Sequence, residues 1–385
     1  MEEWFEKLID SAGYFESLKS NDNIVCWGAG SKGRQTLEIL QEKGIRPVAF
    51  IDNNSQLFGQ FIDDIPIFDY GTIRKKYKRY CICITATFFN ALKIYNILQD
   101  AGEQNYIYFI SNPFKAENKF LSTKEIEDDQ KDYDESYSLL ADEESKQLFI
   151  EFLNWKITGD ISIINRNHHN KSWLEYFDEN IIPTSDNYCY IDVGAYTGDS
   201  ICRFLAFVNG KYNQIIAFEP DKNNINELKT LIRNGRLERI KLICEGLWSK
   251  ETEKIFYKRS GSGSYESSNF FRDVNITLSN NLVNNLEGGG SEKVIVRALD
   301  SYLYMLQENN DILLKLDALA SEGEILRGAE KIIKIKKPVI VMEYGTHSKY
   351  IANIIPFLKG LRYDYKFYLR QHKAMSNRRI FLYAI

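Results

Sequence analysis

The sequence lacks an excess of basic residues. Among its 385 residues, 49 are Lys or Arg and 53 are Asp or Glu, so the formal net charge is −4 at pH 7. Domains that bind nucleic acid favour a basic surface, and this composition gives no electrostatic support for a nucleic-acid partner. The length favours two domains, and 44% hydrophobic residues are enough to build their cores.

Long apolar runs and a signal-like start are also missing. No apolar stretch approaches the roughly 18 residues that a membrane span requires. The first residues, MEEWFEKLID, carry acids where a secretory signal has basic residues and an apolar core. We therefore expect a cytoplasmic protein without a membrane span. The oligomeric state stays open, and a homo-oligomer is compatible with the sequence.

Zinc-type cysteine pairs are absent as well. None of the six cysteines forms a C-x-x-C pair, and most lie in apolar, strand-like runs. A chain of this length does not need disulfides to be stable, so buried, reduced thiols are expected. His168 and His169 are adjacent in a polar run, and their side chains are expected to diverge. We therefore predict no metal site.

Two segments of the chain alternate strand and helix patterns. The first runs from Asn23 to about Phe114, and its strands are expected at IVCW, PVAFIDNN, CICITA and YIYFI. The second begins near Tyr188 and contains seven strands, of which the last two are close enough to form an antiparallel hairpin. This alternation predicts α/β folds with parallel sheets and right-handed crossovers.

The segments between these units have different compositions. Residues 116–145 hold eleven acids and three lysines, which predicts a solvated connector with some helix. Residues 1–20 predict a short amphipathic helix, and 144–159 a helix with a buried apolar stripe. Residues 258–293 are a long Ser-, Asn- and Gly-rich insertion, typical of a lid or of disorder. The predicted domains are 1–115, 116–185 and 186–385.

The first unit contains a G-x-G-x-x-G loop between a strand and a helix. Such glycines permit a tight turn, and the helix amides that follow can bind phosphates. Asp52 ends the next strand, 19 residues after Gly33, where an acid can accept ribose hydroxyls. The predicted nucleotide-binding residues are Gly28, Gly30, Lys32, Gly33 and Asp52. The alternative is that the glycines only let helix and strand pack closely.

The second unit has a different loop, Asp192-Val193-Gly194-Ala195-Tyr196-Thr197-Gly198-Asp199. It has one glycine fewer and two acids more, and Glu219 ends the following strand. These residues suit a ligand with a ribose, no phosphates and positive charge near Asp192 and Asp199. S-adenosylmethionine has these properties. The alternative is that Asp192 caps the helix and Glu219 is a solvated strand end.

Successive motifs of the second unit resemble the FkbM family of methyltransferases, which belong to the seven-stranded, S-adenosylmethionine-dependent class. The resemblance covers about residues 140–385 and rests on YIDVGAYTGDS, IIAFEPD, CEGLWSKETEKIFY, DILLKLDA and LRGAEKIIKIKKPVIVMEY. It implies three groups of cofactor residues: Asp192, Gly194, Ala195, Tyr196, Gly198 and Asp199 at the methionine part, Glu219 and Pro220 at the ribose, and Glu245, Gly246 and Leu247 at the adenine. The first unit is similar to small Rossmann-like domains of surface-sugar biosynthesis, which implies a nucleotide or nucleotide-sugar ligand.

One segment departs from the family pattern. After the fourth strand the family has Asp-(Val/Ile)-Glu-Gly-(Ala/Ser)-Glu, whereas Leu319 and Ala320 stand here at the first Glu and the Gly. Asp317 and Glu322 keep their places, and Glu322 is a candidate substitute for the missing acid. A non-catalytic nucleotide-sugar-binding or scaffold protein with a degenerate methyltransferase site is therefore the alternative to an enzyme.

The resemblance implies methyl transfer, with a sugar hydroxyl in polysaccharide or other glycan biosynthesis as the predicted acceptor. The acceptor must be aligned and must lose a proton. Asp317, Glu343 and His347 are the predicted catalytic residues, although His347 also suits a surface loop. Arg370 and His372 lie in a family-like run and are predicted to bind a phosphate or acid of the acceptor; a solvated edge strand is the alternative.

An NAD-dependent sugar oxidoreductase is a further alternative for the first unit. It is disfavoured because the segment from Asn23 to Phe114 leaves no room for a substrate domain. In addition, no Tyr-x-x-x-Lys pair follows the first predicted sheet.

Overall fold

The computed structural model describes residues 3–20, 23–109, 120–165, 175–257, 270–272, 291–318, 321–372 and 379–385. The chain divides into two compact units that alternate along the sequence. The first unit comprises residues 1–134, 144–170 and 373–379, and the second comprises 135–143, 171–372 and 380–385. The predicted domain boundaries at residues 115 and 185 stay predictions.

The first unit is built on a six-stranded sheet, as its α/β pattern predicts. Its strands are β1 (Ile24–Trp27), β2 (Ala49–Ile51), β3 (Phe61–Ile62), β4 (Ile65–Phe68), β5 (Cys81–Ile84) and β6 (Tyr106–Tyr108), in the order β3-β4-β2-β1-β5-β6. All neighbours are parallel except β3 and β4. Strands β3 and β4 were not predicted, because strands of two and four residues are too short to show a clear period.

Eight described α-helices precede the second sheet in the chain. They are α1 (Ser11–Lys19), α2 (Ser31–Glu42), α3 (Tyr70–Lys76), α4 (Phe88–Asp100), α5 (Thr123–Asp128), α6 (Gln130–Ser138), α7 (Glu143–Thr158) and α8 (Ser162–Asn165). The short helix predicted within residues 1–20 is present as α1, but it covers only the second half of that range. A 3-10 turn at Phe5–Lys7 is separated from α1 by Asp10, whose extended backbone and side chain cap the helix.

Helix α7 is buried more completely than predicted. The expected stripe of Leu148, Phe149, Phe152, Leu153 and Trp155 is buried, but Glu151, Asn154 and Lys156 are buried as well. The Lys156 ammonium lies 4.1 Å from the centre of the Trp155 ring, which lets a cation occupy an apolar environment. This helix is therefore enclosed, whereas the sequence predicted one apolar face.

The second unit contains the predicted seven-stranded sheet and a smaller sheet. Its strands are β7 (Tyr188–Val193), β8 (Gln214–Phe218), β9 (Ile240–Ile243), β10 (Gly246–Leu247), β11 (Thr252–Tyr257), β12 (Phe270–Arg272), β13 (Ser291–Arg297), β14 (Asp311–Leu316), β15 (Val339–Tyr344), β16 (Phe367–Arg370) and β17 (Ile380–Ala384). The large sheet has the order β16-β17-β15-β14-β7-β8-β9, and β17 is antiparallel to both of its neighbours. The strand order reverses between β7 and β14, a position at which open α/β sheets bind ligands.

The smaller sheet was not predicted. Strand β9 ends at Ile243, and the next two-residue strand, β10, pairs with β13 instead of continuing β9. Strands β11 and β12 complete this sheet in the order β10-β13-β11-β12. Within the predicted insertion at 258–293, only 270–272 and 291–293 are described, so its proposed lid lies mostly outside the described residues.

The remaining helices are α9 (Asp199–Phe207), α10 (Lys222–Gly235), α11 (Glu322–Arg327), α12 (Glu330–Lys336) and α13 (Ile354–Leu361). In the part of the chain that the structure describes, no helix has both the length and the apolar character to cross a membrane. The six cysteines all lie in described segments and form no disulfide. Four of them are buried, but Cys202 and Cys244 are exposed.

Candidate functional site

The loop after β7 is fixed by close backbone contacts. Gly194 has a φ of +74°, and a Cβ atom on it would lie 2.1 Å from the carbonyl oxygen of Asp317. The amides of Gly194 and Ala195 donate to the carbonyl oxygen of Phe218, at 3.0 and 3.1 Å. The loop therefore lies against the ends of β8 and β14, and position 194 requires glycine.

The same loop continues into α9. Tyr196 has a φ of +48°, and 58% of its surface is exposed. Gly198 has a φ of +97°, and a Cβ atom there would lie 2.4 Å from Leu231 Cδ2. Asp199 is exposed and begins α9, where negative charge is favoured by the helix dipole.

Asp192 is enclosed by the protein. It is fully buried; its Oδ1 lies 2.9 Å from Lys315 Nζ, and its Oδ2 accepts a hydrogen bond from Ser200 at 2.6 Å. Burial opposes the charge of Lys315, but neighbouring carboxylates, Asp192 first among them, raise the pKa of the lysine. A ligand was expected to place positive charge beside Asp192, but Lys315 of the protein itself supplies that charge. The lysine also donates to the carbonyl oxygen of Gly194 at 2.8 Å.

Glu219 follows β8 and faces the loop. Its Oε2 accepts from the Tyr196 amide at 2.9 Å, and its Oε1 accepts from the Asp221 amide at 2.9 Å and the Asn224 side chain at 3.2 Å. Burial raises the pKa of this carboxyl, which is 5% exposed. A carboxylate has about four acceptor positions, so these three donors leave one. Pro220, next in the chain, is partly buried.

The predicted adenine residues lie where β9 gives way to β10. Glu245 Oε2 lies 3.1 Å from Arg297 Nε and accepts a hydrogen bond from the Tyr302 hydroxyl. The Glu245 side chain is 38% exposed. Gly246 and Leu247 form β10 and are buried. Glu245 is therefore held by two neighbours while part of its carboxylate stays accessible.

The predicted catalytic residues lie at the ends of the neighbouring strands β14 and β15. Asp317 follows β14, and its Oδ2 accepts from the Tyr176 hydroxyl at 2.6 Å. Glu343 is the fifth residue of β15 and is 2% exposed. His347 is partly exposed, and its Nδ1 accepts from the Lys349 amide at 3.2 Å. His347 and Glu343 line one small cavity, whereas Asp317 is not among the residues that line it.

Glu322 joins the segments that follow these two strands. Its Oε1 accepts from the Ala318 amide at 3.0 Å, and its Oε2 accepts from the Thr346 hydroxyl at 2.9 Å. Only 1% of the residue is exposed. Burial, assisted by the charges of Glu343 and Asp317, raises the pKa of Glu322 to about 7. This carboxyl group therefore titrates near neutral pH.

Arg370 ends the edge strand β16, His372 follows it, and both have partners inside the second unit. Arg370 makes a two-point contact with Asp142, at 2.6 and 3.2 Å. His372 is 4% exposed, and its Nε2 lies 2.7 Å from the Tyr383 hydroxyl. The alternative of solvated charges does not describe these side chains. Their contact with an acceptor stays a prediction.

The glycines of the first loop act mainly in packing. Gly28 has a φ of +127°, and a Cβ atom there would lie 3.0 Å from the carbonyl oxygen of Thr85. A Cβ atom on Gly33 would lie 1.9 Å from the carbonyl oxygen of Gly28. Close approach of α2 to the end of β1 thus requires glycine at position 33, and the backbone conformation and the contact with Thr85 favour glycine at position 28.

The other predicted residues of this loop are open to a ligand or support it. A Cβ atom on Gly30, the residue before α2, would meet nothing within 4 Å. Lys32 is partly exposed at the second position of α2. Asp52 accepts from the Ala29 amide at 2.9 Å and from the Asn54 amide at 2.9 Å. Asp52 thus supports its loop in the same way as Glu219 supports the loop of the second unit.

Some predictions fall on undescribed residues, and some contacts were not foreseen. His168, His169, Leu319 and Ala320 lie outside the described residues. Within those that are described, no group of three or more His, Cys, Asp or Glu side chains is arranged to hold a metal ion.

Two contacts of the site were not predicted. The pairing of Lys315 with Asp192 could have been expected, since the two residues occupy matched positions on adjacent parallel strands. The contact of Tyr302 with Glu245 had no such signal, because neither residue lies in a strand.

Comparison with known proteins finds a family match within the second unit. Residues 192–367 match the family model for the methyltransferase FkbM domain. The chain is also similar to the solved structure of methyltransferase FkbM from Methylobacillus flagellatus KT, with 17% identity and a TM-score of 0.66, over 100% of this chain and 95% of that chain. This likeness shows the fold. No curated protein sequence matches the chain.

Two further structures match only parts of the chain. Fibrillarin from Aeropyrum pernix, in complex with natively bound S-adenosyl-L-methionine, is 11% identical over 55% of this chain and 76% of its own, with a TM-score of 0.32. UDP-D-quinovosamine 4-dehydrogenase from Vibrio fischeri is 20% identical over 24% of this chain and 80% of its own, with a TM-score of 0.21. Neither likeness is strong enough to carry an argument. The family match and the sheet order confirm the resemblance seen in the sequence: residues 192–367 match the methyltransferase domain of the FkbM family, which belongs to the S-adenosylmethionine-dependent class.

Proposed function

We propose that this protein transfers the methyl group of S-adenosylmethionine to a hydroxyl oxygen of a sugar, in the cytoplasmic biosynthesis of a surface polysaccharide or related glycan. The observation that carries the proposal is the contact of Glu219 with the loop Gly194–Gly198, in which the carboxylate accepts a hydrogen bond from the Tyr196 amide. The loop backbone is held by groups of the protein, Lys315 among them, and the acid beside it has acceptor capacity left over.

The residues present fit the proposed cofactor. Glu219 has one acceptor position open for a ribose hydroxyl after its three protein donors. Glu245 is held through Oε2 by Arg297 and Tyr302, so its Oε1 can accept from an adenine amino group. The exposed ring of Tyr196 supplies apolar surface beside the loop.

When bound, S-adenosylmethionine supplies a methyl group on a positively charged sulfur. The chain must hold the acceptor in line with that group, because alignment supplies a large part of the acceleration. Asp317, Glu343 and His347 lie at the ends of β14 and β15, where α/β sheets bind ligands. We assign these three residues to the catalytic site around the acceptor hydroxyl and acceptor binding to Arg370 and His372.

The test is calorimetric titration of the full chain with S-adenosylmethionine and S-adenosylhomocysteine. Micromolar binding is expected in the wild type, with loss of at least about tenfold in affinity in Glu219→Ala, because a hydrogen bond to a charged group contributes about 1.5–3 kcal/mol. Asp52→Ala is the matched control, since Asp52 supports its loop in the same way. Failure of the wild type to bind either compound would favour the alternative, a binding or scaffold protein with a degenerate methyltransferase site.

The first unit is assigned a second ligand, a nucleotide or nucleotide-sugar, which would bring an acceptor to the protein. Gly30 and Lys32 are the accessible residues that support this assignment, and Asp52 is the candidate ribose acceptor. Titration with UDP-sugars and with UDP alone tests it, and Asp52→Ala should weaken binding whereas Glu219→Ala should not. Equal binding by wild type and Asp52→Ala would contradict the assignment.

A further inference from the structure

Glu322 is a buried carboxyl group at the candidate site and the candidate substitute for the acid that the family pattern has at position 319. It begins α11 and is 1% exposed. Its two oxygens accept from one backbone amide, that of Ala318, and one hydroxyl, that of Thr346. Burying a carboxylate among neutral donors is costly, and Glu343 and Asp317 add negative charge nearby. A purely structural link between two loops does not require an ionisable group.

The direction of the Thr346 hydrogen bond indicates what the pair can do. An ionised carboxylate is only an acceptor, so the hydroxyl of Thr346 donates to Glu322 Oε2 across 2.9 Å. The lone pairs of the Thr346 oxygen are then available to a second donor. If the hydroxyl group of an acceptor donated a hydrogen bond to the Thr346 oxygen, two successive hydrogen bonds would connect the acceptor proton to the Glu322 carboxylate.

The position of Thr346 places this path in the candidate site. Thr346 lies between Gly345 and His347 in the segment after β15, next to two of the predicted catalytic residues. The small cavity here is lined by Glu322, Glu343, Thr346, His347 and Tyr350, among others. The Ala318 amide donates to Glu322. Ala318 follows Asp317, and the carbonyl oxygen of Asp317 lies against Gly194. The carboxyl is thus tied to the segments after both β14 and β15.

We propose that Thr346 and Glu322 accept the proton of the acceptor hydroxyl during methyl transfer. As the acceptor oxygen forms its bond to the methyl carbon and the carbon–sulfur bond breaks, the acceptor O–H proton passes to the Thr346 oxygen. Thr346 gives its own proton to Glu322 Oε2, and the sulfur leaves with its electron pair as S-adenosylhomocysteine. Glu322 later releases the proton to solvent. This proposal rests on the proposed function and names Thr346 as the group that touches the substrate.

Three variants separate a proton acceptor from a structural link. Glu322→Gln keeps the shape of the side chain and can still bond Ala318 and Thr346, but it cannot take a proton. Thr346→Val removes the hydroxyl at nearly constant volume, and Thr346→Ser restores it. All three are assayed with a panel of methyl glycosides and UDP-sugars by formation of S-adenosylhomocysteine, and the affinity for S-adenosylhomocysteine is measured beside it.

We expect Glu322→Gln and Thr346→Val to lower kcat by about 100-fold or more, the usual contribution of general-base catalysis, with little change in S-adenosylhomocysteine affinity. Thr346→Ser should retain most of the wild-type rate. The wild-type rate should also rise with pH through neutrality, and Glu322→Gln should lose that dependence. Wild-type kcat in Glu322→Gln, or in Thr346→Val, overturns the proposal.

A second measurement does not depend on activity. The infrared carbonyl band of a protonated carboxyl group should disappear between pH 6 and 8 in the wild type and be absent in Glu322→Gln. No such difference means that Glu322 does not exchange protons there, and the proposal fails. A wild type that binds S-adenosylhomocysteine but methylates no glycoside contradicts the acceptor class and this proposal together; transfer by an equally active Glu322→Gln contradicts only the proton path.

Discussion

The ammonium of Lys315 lies 2.9 Å from Asp192 Oδ1 and 2.8 Å from the carbonyl oxygen of Gly194. The lysine is 2% exposed and the aspartate is fully buried. One cation therefore connects β14, β7 and the loop that follows β7. The ion pair serves the geometry of the loop, and its loss affects both stability and cofactor affinity.

Replacing the lysine tests this connection. Lys315→Met leaves Asp192 buried without its cation, and the free energy of unfolding should fall by about 3–5 kcal/mol. The double variant Asp192→Asn, Lys315→Met should recover part of that loss. Urea unfolding measures it, with Lys334→Met as the control, because Lys334 forms only an exposed pair with Glu330. Equal losses in Lys315→Met and Lys334→Met would contradict the expectation.

Gly194 and Gly210 have the same left-handed backbone, but only Gly194 is closely packed, so the two positions separate the cost of backbone strain from the cost of a steric clash. Their φ values are +74° and +73°, but a Cβ atom would meet the Asp317 carbonyl at 2.1 Å on Gly194 and nothing within 4 Å on Gly210. Gly210→Ala should cost about 1 kcal/mol for the left-handed backbone. Gly194→Ala should cost distinctly more and should also abolish S-adenosylhomocysteine binding, because the loop must move. Similar unfolding free energies for the two variants would show that the loop adapts freely.

Tyr302 and Tyr304 test the support of Glu245. Tyr302 donates to Glu245, whereas Tyr304 is 78% exposed. Tyr302→Phe should weaken S-adenosylhomocysteine binding by about threefold to tenfold, the value of one hydrogen bond, because Glu245 is then less well positioned. Calorimetry should detect no change in Tyr304→Phe. An unchanged affinity in Tyr302→Phe would contradict the assignment of Glu245 to the adenine site.

The raised pKa of Glu322 predicts a pH-dependent stability. Because the pKa is about 7 in the folded protein and 4.5 without the fold, the folded state binds more protons between these values, and stability falls as pH rises through this range. The full penalty above pH 7 is on the order of 3 kcal/mol. Glu322→Gln should therefore gain stability over the wild type by roughly this amount between pH 4 and pH 8. Urea unfolding at both pH values measures it, and a pH-independent difference would contradict the raised pKa.

The sheets were predictable because their long strands carry strong local patterns. YIDV, QIIAF and VIVMEY read as buried strands and occupy the large sheet. Strands β10 to β13 were missed because their pairing depends on distant segments, as with Gly246–Leu247 beside β13. Local pattern contains no information about such pairing.

The candidate site was predictable in position but less so in contacts. The glycine loop and Glu219 lie together at the ends of adjacent strands, as strand order alone requires. Whether a charged side chain faces a ligand or a neighbouring residue depends on tertiary packing. Asp192, Arg370 and His372 were expected at ligands and have close protein partners. Thr346 drew no attention in the sequence, because a single threonine after a strand is common.

Strand β17 lies between β15 and β16, although it follows both in the chain. Strand β16 therefore has no place in the sheet until β17 has been made, because the two described neighbours of β17 pair with it and not with each other. During synthesis, the apolar residues of β16 lack their strand neighbour in the large sheet until Ile380–Ala384 emerges from the ribosome. The large sheet of the second unit can thus be completed only after Ile380–Ala384 has been synthesised.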